Sequence, residues 1–158
     1  MFPYGSHFRP SFPVTRSDLA ATLVLAGRAP QYLPGHPTYR DVTNPSLMIF
    51  VESVQAAPGG PYFAGVSPGG SFAPNGVADR LTAAIALVRA AGLRGEAEAR
   101  AGAALNLADA ASIPPDWAGY VAVALERGLL RTRGANFEPQ AALTRAELAH
   151  AMAAMIGF

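Results

Sequence analysis

Three arginines occupy the same place in three similar stretches of the sequence, each just inside a predicted helix start. The stretches, with their arginines, are FRPSFPVTRSDLAATL from Phe8 (motif 1, Arg16), FAPNGVADRLTAAIAL from Phe72 (motif 2, Arg80) and FEPQAALTRAELAHAM from Phe137 (motif 3, Arg145). The arginines are 64 and 65 residues apart, which indicates an internal repeat. A forked guanidinium group beside a helix start is suited to binding an anion, so these residues are the candidate site.

The polar residues around each arginine predict a capped helix N-terminus. The predicted capping pairs are Thr15 with Asp18, Asp79 with Thr82, and Thr144 with Glu147. These caps account for every polar residue of the motif except the arginine. A cation in the first turn opposes the helix dipole at a cost of roughly a few tenths of a kcal/mol. Its presence in all three motifs therefore needs a separate reason.

Two interpretations of the arginines remain open at this stage. Each arginine can pair with an acid from a neighbouring repeat, such as Asp41 or Asp109, and fasten the repeats together. Alternatively, the arginine and the free N–H groups of the helix start form an anion site, which a carboxylate on a sugar or wall polymer would suit. The two interpretations overlap, because an arginine between repeats can also line a groove.

The sequence between the motifs predicts a second helix in each complete repeat. Apolar residues recur at helical spacing over residues 47–54 and 117–125, and prolines stand near both predicted helix starts. One repeat is therefore a helix, a Gly-rich loop, a Phe-x-Pro turn and a capped helix. The fold class predicted is mainly α, an array of helix-loop-helix units with long Gly/Pro-rich loops. The predicted organisation is one domain, 1–158, with a half repeat at 1–27, a second repeat at 39–93, a third at 107–158, and linkers at 28–40 and 94–106.

Apolar residues on the inner faces of these helices should form one core. The predicted core residues are Leu19, Leu23, Phe50, Val54, Leu81, Ile85, Val88, Tyr120, Leu125, Leu148 and Met152. We expect Phe8, Phe72 and Phe137 to occupy equivalent buried corners. The lone Trp117 lies on the apolar face of its predicted helix, which favours core packing over sugar stacking.

Composition excludes several classes of function. The 12 basic residues nearly cancel the 11 acidic ones, so no strong field favours nucleic acid as a partner. The chain has no cysteine, and its three histidines lack ligand spacing, so neither a metal nor another cofactor is predicted. The longest apolar runs are too short to span a membrane. No catalytic motif is present, and GGPYFAGVSPGG lacks the context of a phosphate-binding loop. We therefore predict that the protein is not an enzyme.

The repeat resembles the S-layer homology domain. The third repeat carries the resemblance best, from LADA through LTRAELA; motif 1 matches in VTRSDLA, and motif 2, VADRLTAA, departs most. The resemblance implies a pseudo-threefold array of repeats in a non-catalytic, extracellular, cell-surface module, with grooves that bind anionic, often pyruvylated, wall polysaccharide or peptidoglycan. By position, it implies Arg16 and Arg145 as ligand residues beside Thr15 and Thr144, with Arg80 less well supported because its neighbours have changed.

Two stretches, ADRLTAAIALVRAAGL and WAGYVAVALERGLL, are also similar to the C-terminal tails of some bacterial subtilisin-like proteases. The opening residues lack the features of a signal peptide. Either the protein is not secreted, or the chain is a mature or processed fragment of a larger secreted precursor, which the similarity to protease tails would explain.

Motif 1 lacks the first half of its repeat, since only seven residues precede Phe8. Three outcomes are open: the chain was trimmed from a longer parent, the 94–106 linker covers the gap, or another subunit fills it. The last outcome predicts a homo-oligomer or polymer, because an unsatisfied face can propagate contacts between molecules. The alternative function is then a self-assembling structural subunit of an extracellular filament, tube or layer.

Overall fold

The computed structural model describes residues 7–157 and is rich in helix. The α-helices are α1 (Arg16–Leu25), α2 (Pro45–Gln55), α3 (Arg80–Ala90), α4 (Arg94–Glu98), α5 (Pro115–Glu126) and α6 (Arg145–Ala154). Short 3-10 turns lie at Ala110–Ser112 and Met155–Gly157. The described residues form isolated β-bridges but no sheet. The predicted mainly α class is confirmed.

Local sequence explains where the helices begin. Helices α1, α3 and α6 each start at the arginine of a motif, directly after the residue that caps them. Thr15 and Thr144 take part in complete capping boxes, while Asp79 accepts a hydrogen bond from the Thr82 amide. Helices α2 and α5 instead start with a proline at the first helical position, where its missing N–H costs little.

Two helix pairs and a short helix form the frame. Helix α2 packs against α1, and α5 packs against α3. Helix α4, within the 94–106 linker, packs against α5 and, less extensively, against α3. Helix α6 buries Leu148 and Ala151 in the core but has no extensive contact with another α-helix of the described chain. The linker therefore does not give α6 the cover that α2 gives α1.

The predicted core is largely confirmed. Fully buried members are Leu19, Leu23, Val54, Ile85, Val88, Tyr120 and Leu148, and partly buried members packed against them are Phe50, Leu81, Leu125 and Met152. Trp117 is also partly buried against the core, as predicted.

The prediction of three equivalent buried phenylalanines is wrong for Phe8. Phe72 and Phe137 are 0% exposed, whereas Phe8 is 45% exposed. The ring of Phe72 is covered by Phe63 and Tyr39, at centroid distances of 4.8 and 6.1 Å. Those covering residues belong to the first half of the second repeat, and the described residues before Phe8 provide no counterpart.

Helix α5 approaches the end of α4 so closely that position 119 has no room for a side chain. A Cβ at Gly119 would lie 2.0 Å from the carbonyl oxygen of Ala97. We predict that Gly119→Ala lowers the free energy of unfolding by roughly 1–3 kcal/mol, because α4 and α5 must separate. Because alanine ordinarily stabilises a helix relative to glycine by about 1 kcal/mol, a loss of stability would report the close contact between α4 and α5.

Gly95→Ala is the matched control, since a Cβ at that position in α4 meets nothing within 4 Å. It should leave stability unchanged or raise it. Urea unfolding followed by circular dichroism measures both variants. Equal stability of Gly119→Ala and the parent chain would show that α4 does not pack on α5 as described.

Candidate functional site

The three motifs meet through a closed cycle of backbone hydrogen bonds. The amide of Val14 donates to the carbonyl of Leu143, the amide of Leu143 donates to Ala78, and the amide of Ala78 donates back to Val14, each at 2.9 Å. All three residues are buried. Each motif is therefore fastened directly to both others, although their sequences are more than 60 residues apart.

A second set of hydrogen bonds occupies the helix starts. The amides of Arg16, Arg80 and Arg145 donate to the carbonyls of Gly76, Ala141 and Phe12, at 2.8, 2.9 and 3.0 Å. The amides that follow them donate to the prolines of the adjoining motifs, and the capping side chains accept from the third amides. The expectation that an anion could bind free N–H groups here is thus wrong, because the protein itself occupies those groups. Only the guanidinium groups remain as donors.

Each arginine side chain reaches into the Phe-x-Pro turn of the next motif in the cycle. Nε of Arg16, Arg80 and Arg145 donates to the carbonyls of Phe72, Phe137 and Phe8, at 2.7, 2.7 and 2.8 Å. The guanidinium carbons lie 4.9, 4.9 and 5.2 Å from the centroids of the same phenylalanine rings. Each arginine therefore makes a charge-assisted hydrogen bond and a cation–π contact with one residue.

The aspartates before motifs 2 and 3 hold the other side of these turns. Asp41 accepts from the amides of Phe72 and Ala73, at 2.8 and 2.7 Å. Asp109 accepts from the amides of Phe137 and Glu138, at 2.9 and 2.6 Å. Burial alone would raise the pKa of each aspartate, but the hydrogen bonds outweigh it and lower the pKa.

The aspartates and arginines are therefore linked through the phenylalanine backbone. The described ion pairs include none between a motif arginine and Asp41 or Asp109. The interpretation that the arginines fasten the repeats is right in effect, but the direct partners are carbonyls of the Phe-x-Pro turns. The residue after each phenylalanine has a positive φ, 51° at Arg9, 55° at Ala73 and 57° at Glu138, so the turns have the same backbone form.

The three arginines differ in how fully their donors are used. Arg80 is 0% exposed; besides Phe137 it binds the carboxylate of Glu147 and the carbonyl of Arg131. Burial lowers the pKa of Arg80, although the charge of Glu147 raises it. Arg145 is 3% exposed. Arg80 and Arg145 are therefore parts of the frame as well as sequence-predicted site residues.

Arg16 is the partly exposed member of the set. Its guanidinium carbon lies 5.1 and 4.9 Å from the ring centroids of Phe63 and Phe72, two rings that contact each other edge to face. Its Nε donates to the Phe72 carbonyl, and within residues 7–157 its terminal nitrogens have no hydrogen bond. Burial lowers its pKa, and the nearby charges of Asp79 and Asp41 act in the opposite direction. Arg16 is thus a fixed cation with unused donors.

The third helical residue of the next motif explains this difference. Glu147 holds that position in α6 and binds Arg80, the arginine of motif 2. The equivalent residue in α3 is Thr82, which cannot neutralise the arginine of motif 1. From the sequence, the changed residues of motif 2 were expected to weaken the ligand role of Arg80. In the structure, the change at Thr82 instead alters the surroundings of Arg16. Thr82 was visible in the sequence, but its effect on Arg16 could be inferred only by knowing that the arginine of motif 1 contacts motif 2.

A small surface cavity of about 220 Å³ borders the helix start of motif 3. It is lined by Leu130, Arg131, Ala146, Glu147 and His150. Burial would raise the pKa of Glu147, but hydrogen bonds from Thr144 and the charge of Arg80 lower it. The cavity therefore contains a carboxylate that is already paired, and this makes it a poorer place for an anion than the surroundings of Arg16.

Residues 106–149 match the S-layer homology domain. The match covers most of the third repeat, from just before Asp109 into α6, and confirms the resemblance carried by LADA and LTRAELA. No curated protein sequence matches the chain. S-layer homology domains are non-catalytic modules that bind cell-wall polymers at the cell surface, and the match indicates a module of that type over residues 106–149. None of the helices described here has both the length and the apolar character to cross a bilayer.

The unequal roles of the arginines give a stability prediction. Arg80→Met removes the charge that binds Glu147 and leaves the carbonyls of Phe137 and Arg131 without this donor, so it should lower the free energy of unfolding by roughly 3 kcal/mol. Arg16→Met removes one hydrogen bond and should cost about 1 kcal/mol. Urea denaturation of the two matched variants tests the ranking. Equal losses, or a larger loss for Arg16→Met, would contradict it.

Proposed function

We propose that the protein is a non-catalytic extracellular module of the S-layer homology type, which binds an anionic cell-wall glycan at Arg16. The observation that carries this proposal is the state of the Arg16 guanidinium, which is held in place through Nε, is partly exposed and has unused donors. We further propose a pseudo-threefold array of the three motifs. The closed cycle of equivalent backbone bonds supports that arrangement.

A carboxylate is the ligand chemistry that suits this site best. The terminal nitrogens of a guanidinium present parallel donors that match the two oxygens of a carboxylate. The adjoining rings of Phe63 and Phe72 exclude water from part of the Arg16 guanidinium, which strengthens its hold on an anion. An acidic or pyruvylated sugar of a wall polysaccharide presents such a carboxylate at the surface.

The other site residues play different parts in the proposal. Thr15 and Thr144 position the helix starts, because their hydroxyls already bind within the capping boxes. Arg145 remains a second ligand candidate, although only a small fraction of it is accessible. Arg80 has no accessible surface and is left out of the ligand set.

Self-assembly into an open filament, tube or layer remains a prediction, as does processing from a larger precursor. Nothing in the described contacts favours either over the anchoring module.

The substitution Thr82→Glu tests the proposal by placing a carboxylate of the protein itself beside Arg16. We expect the new carboxylate to pair with Arg16, as Glu147 pairs with Arg80, and so to reduce retention on purified cell-wall sacculi at least tenfold without loss of stability. Arg16→Gln should reduce retention similarly, because it removes the cation. Retention is measured by co-sedimentation across a series of salt concentrations.

Two control variants separate the site from general charge effects. Thr43→Glu adds an acid at an exposed position, and Arg127→Gln removes an exposed arginine that pairs with Glu96. Both should bind like the parent chain. Sacculi treated with mild acid to remove ketal-linked acidic groups should retain less of the parent chain. If Thr82→Glu and Arg16→Gln are retained as well as the controls, Arg16 is not the glycan site.

A further inference from the structure

Helix α6 is the one motif helix of residues 7–157 that lacks a packed partner helix. In α1 the positions covered by packing include Ala20, Leu23 and Val24, and their equivalents in α3 are Ala84, Leu87 and Val88; all six are buried. The equivalents in α6 are Ala149, Met152 and Ala153, which are partly or fully exposed. The internal comparison therefore identifies a surface on α6 where a helix packs in the two related units.

The exposed apolar surface extends beyond α6 itself. Phe8 and Phe12 are each 45% exposed, and Ile156 is 82% exposed. Arg145 joins the phenylalanines to the start of α6, because its amide donates to the Phe12 carbonyl at 3.0 Å and its guanidinium lies over the Phe8 ring. The surface thus has large apolar side chains at both ends of the helix.

The middle of the surface is small and uncharged. Ala146, Ala149, Ala153 and Ile156 follow one stripe of the helix, and none of them can ionise. Two such stripes can approach closely, because alanines leave the backbones room to meet. If they run antiparallel, the phenylalanines of one helix start lie beside Met152 and Ile156 of the other helix end. The surface is therefore complementary to itself.

Charge at the edge of the surface agrees with this arrangement. Arg9 lies over the Phe12 ring, 4.9 Å from its centroid, at the amino-terminal end of α6. In an antiparallel pair it would stand near the carboxyl end of the other α6, where the helix dipole favours a cation.

We propose that a second copy of this chain docks on the α6 surface, forming a closed symmetric dimer in which α6 packs against α6. The contact is isologous, because both molecules use the same α6 surface. This association is independent of glycan binding at Arg16. Its small, mainly apolar interface should give a dissociation constant on the order of 10 µM.

The absence of cysteine from the sequence allows a direct test of the contact. Ala149→Cys places a thiol near the proposed symmetry axis, where two copies should form a disulfide-linked dimer within minutes of mild oxidation. Ala99→Cys places a thiol at an exposed site away from α6 and should cross-link at least tenfold more slowly. Equal rates for the two variants would overturn the proposal.

Sedimentation of the unmodified chain tests the association without any substitution. We expect the mass to rise from monomer to dimer as concentration increases, and to stop there. Ala153→Glu should raise the dissociation constant at least tenfold, because it places like charges together, while Ala99→Glu should leave it unchanged. Circular dichroism confirms that both variants are folded, and sacculus retention should be equal for them. A chain that stays monomeric well above 100 µM, or one that grows into polymers, would overturn the closed dimer.

Discussion

The bond between each motif arginine and the phenylalanine carbonyl of the next motif is the interaction on which the rest of the structure depends. It explains why a cation stands in the first turn of three helices, where the dipole opposes it by roughly a few tenths of a kcal/mol. A charge-assisted hydrogen bond and a ring contact together outweigh that cost. The same turns are held from the other side by Asp41 and Asp109, and the backbone cycle through Val14, Ala78 and Leu143 closes the arrangement.

The third helical residue of the next motif then distinguishes Arg80 from Arg16. Where the third helical residue of the next motif is Glu147, Arg80 is paired with that carboxylate, buried and structural. Where that position is Thr82, Arg16 keeps its hold on Phe72 but retains donors for another partner. The proposed binding site thus shares one repeated motif with the structural frame, because the bond between motifs uses Nε and leaves the terminal nitrogens of the arginine available to a second partner.

Local features of the sequence predicted a large part of this structure. The capped helix starts at Arg16, Arg80 and Arg145, the proline starts of α2 and α5, and most of the core follow from spacing over a few residues. Three features could not be predicted from the sequence: the occupation of the helix N–H groups, the exposure of Phe8 and the partner of each arginine. They depend on which motif meets which, a relation between residues more than 60 positions apart that propensity and periodicity do not encode. The match over residues 106–149 supports the type of module but lies outside motif 1, so the role of Arg16 rests on the geometry of the cycle.

Native-state hydrogen exchange of the amides of Val14, Ala78 and Leu143 tests the closed cycle most directly. Because each of these amides donates to a different motif, none can open without separating two of the three units. The account predicts that all three exchange only through global unfolding, with the same protection free energy and the same dependence on denaturant. Exchange of any one of them through a small local opening, while the other two stay protected, would show that the motifs are not fastened into one cycle.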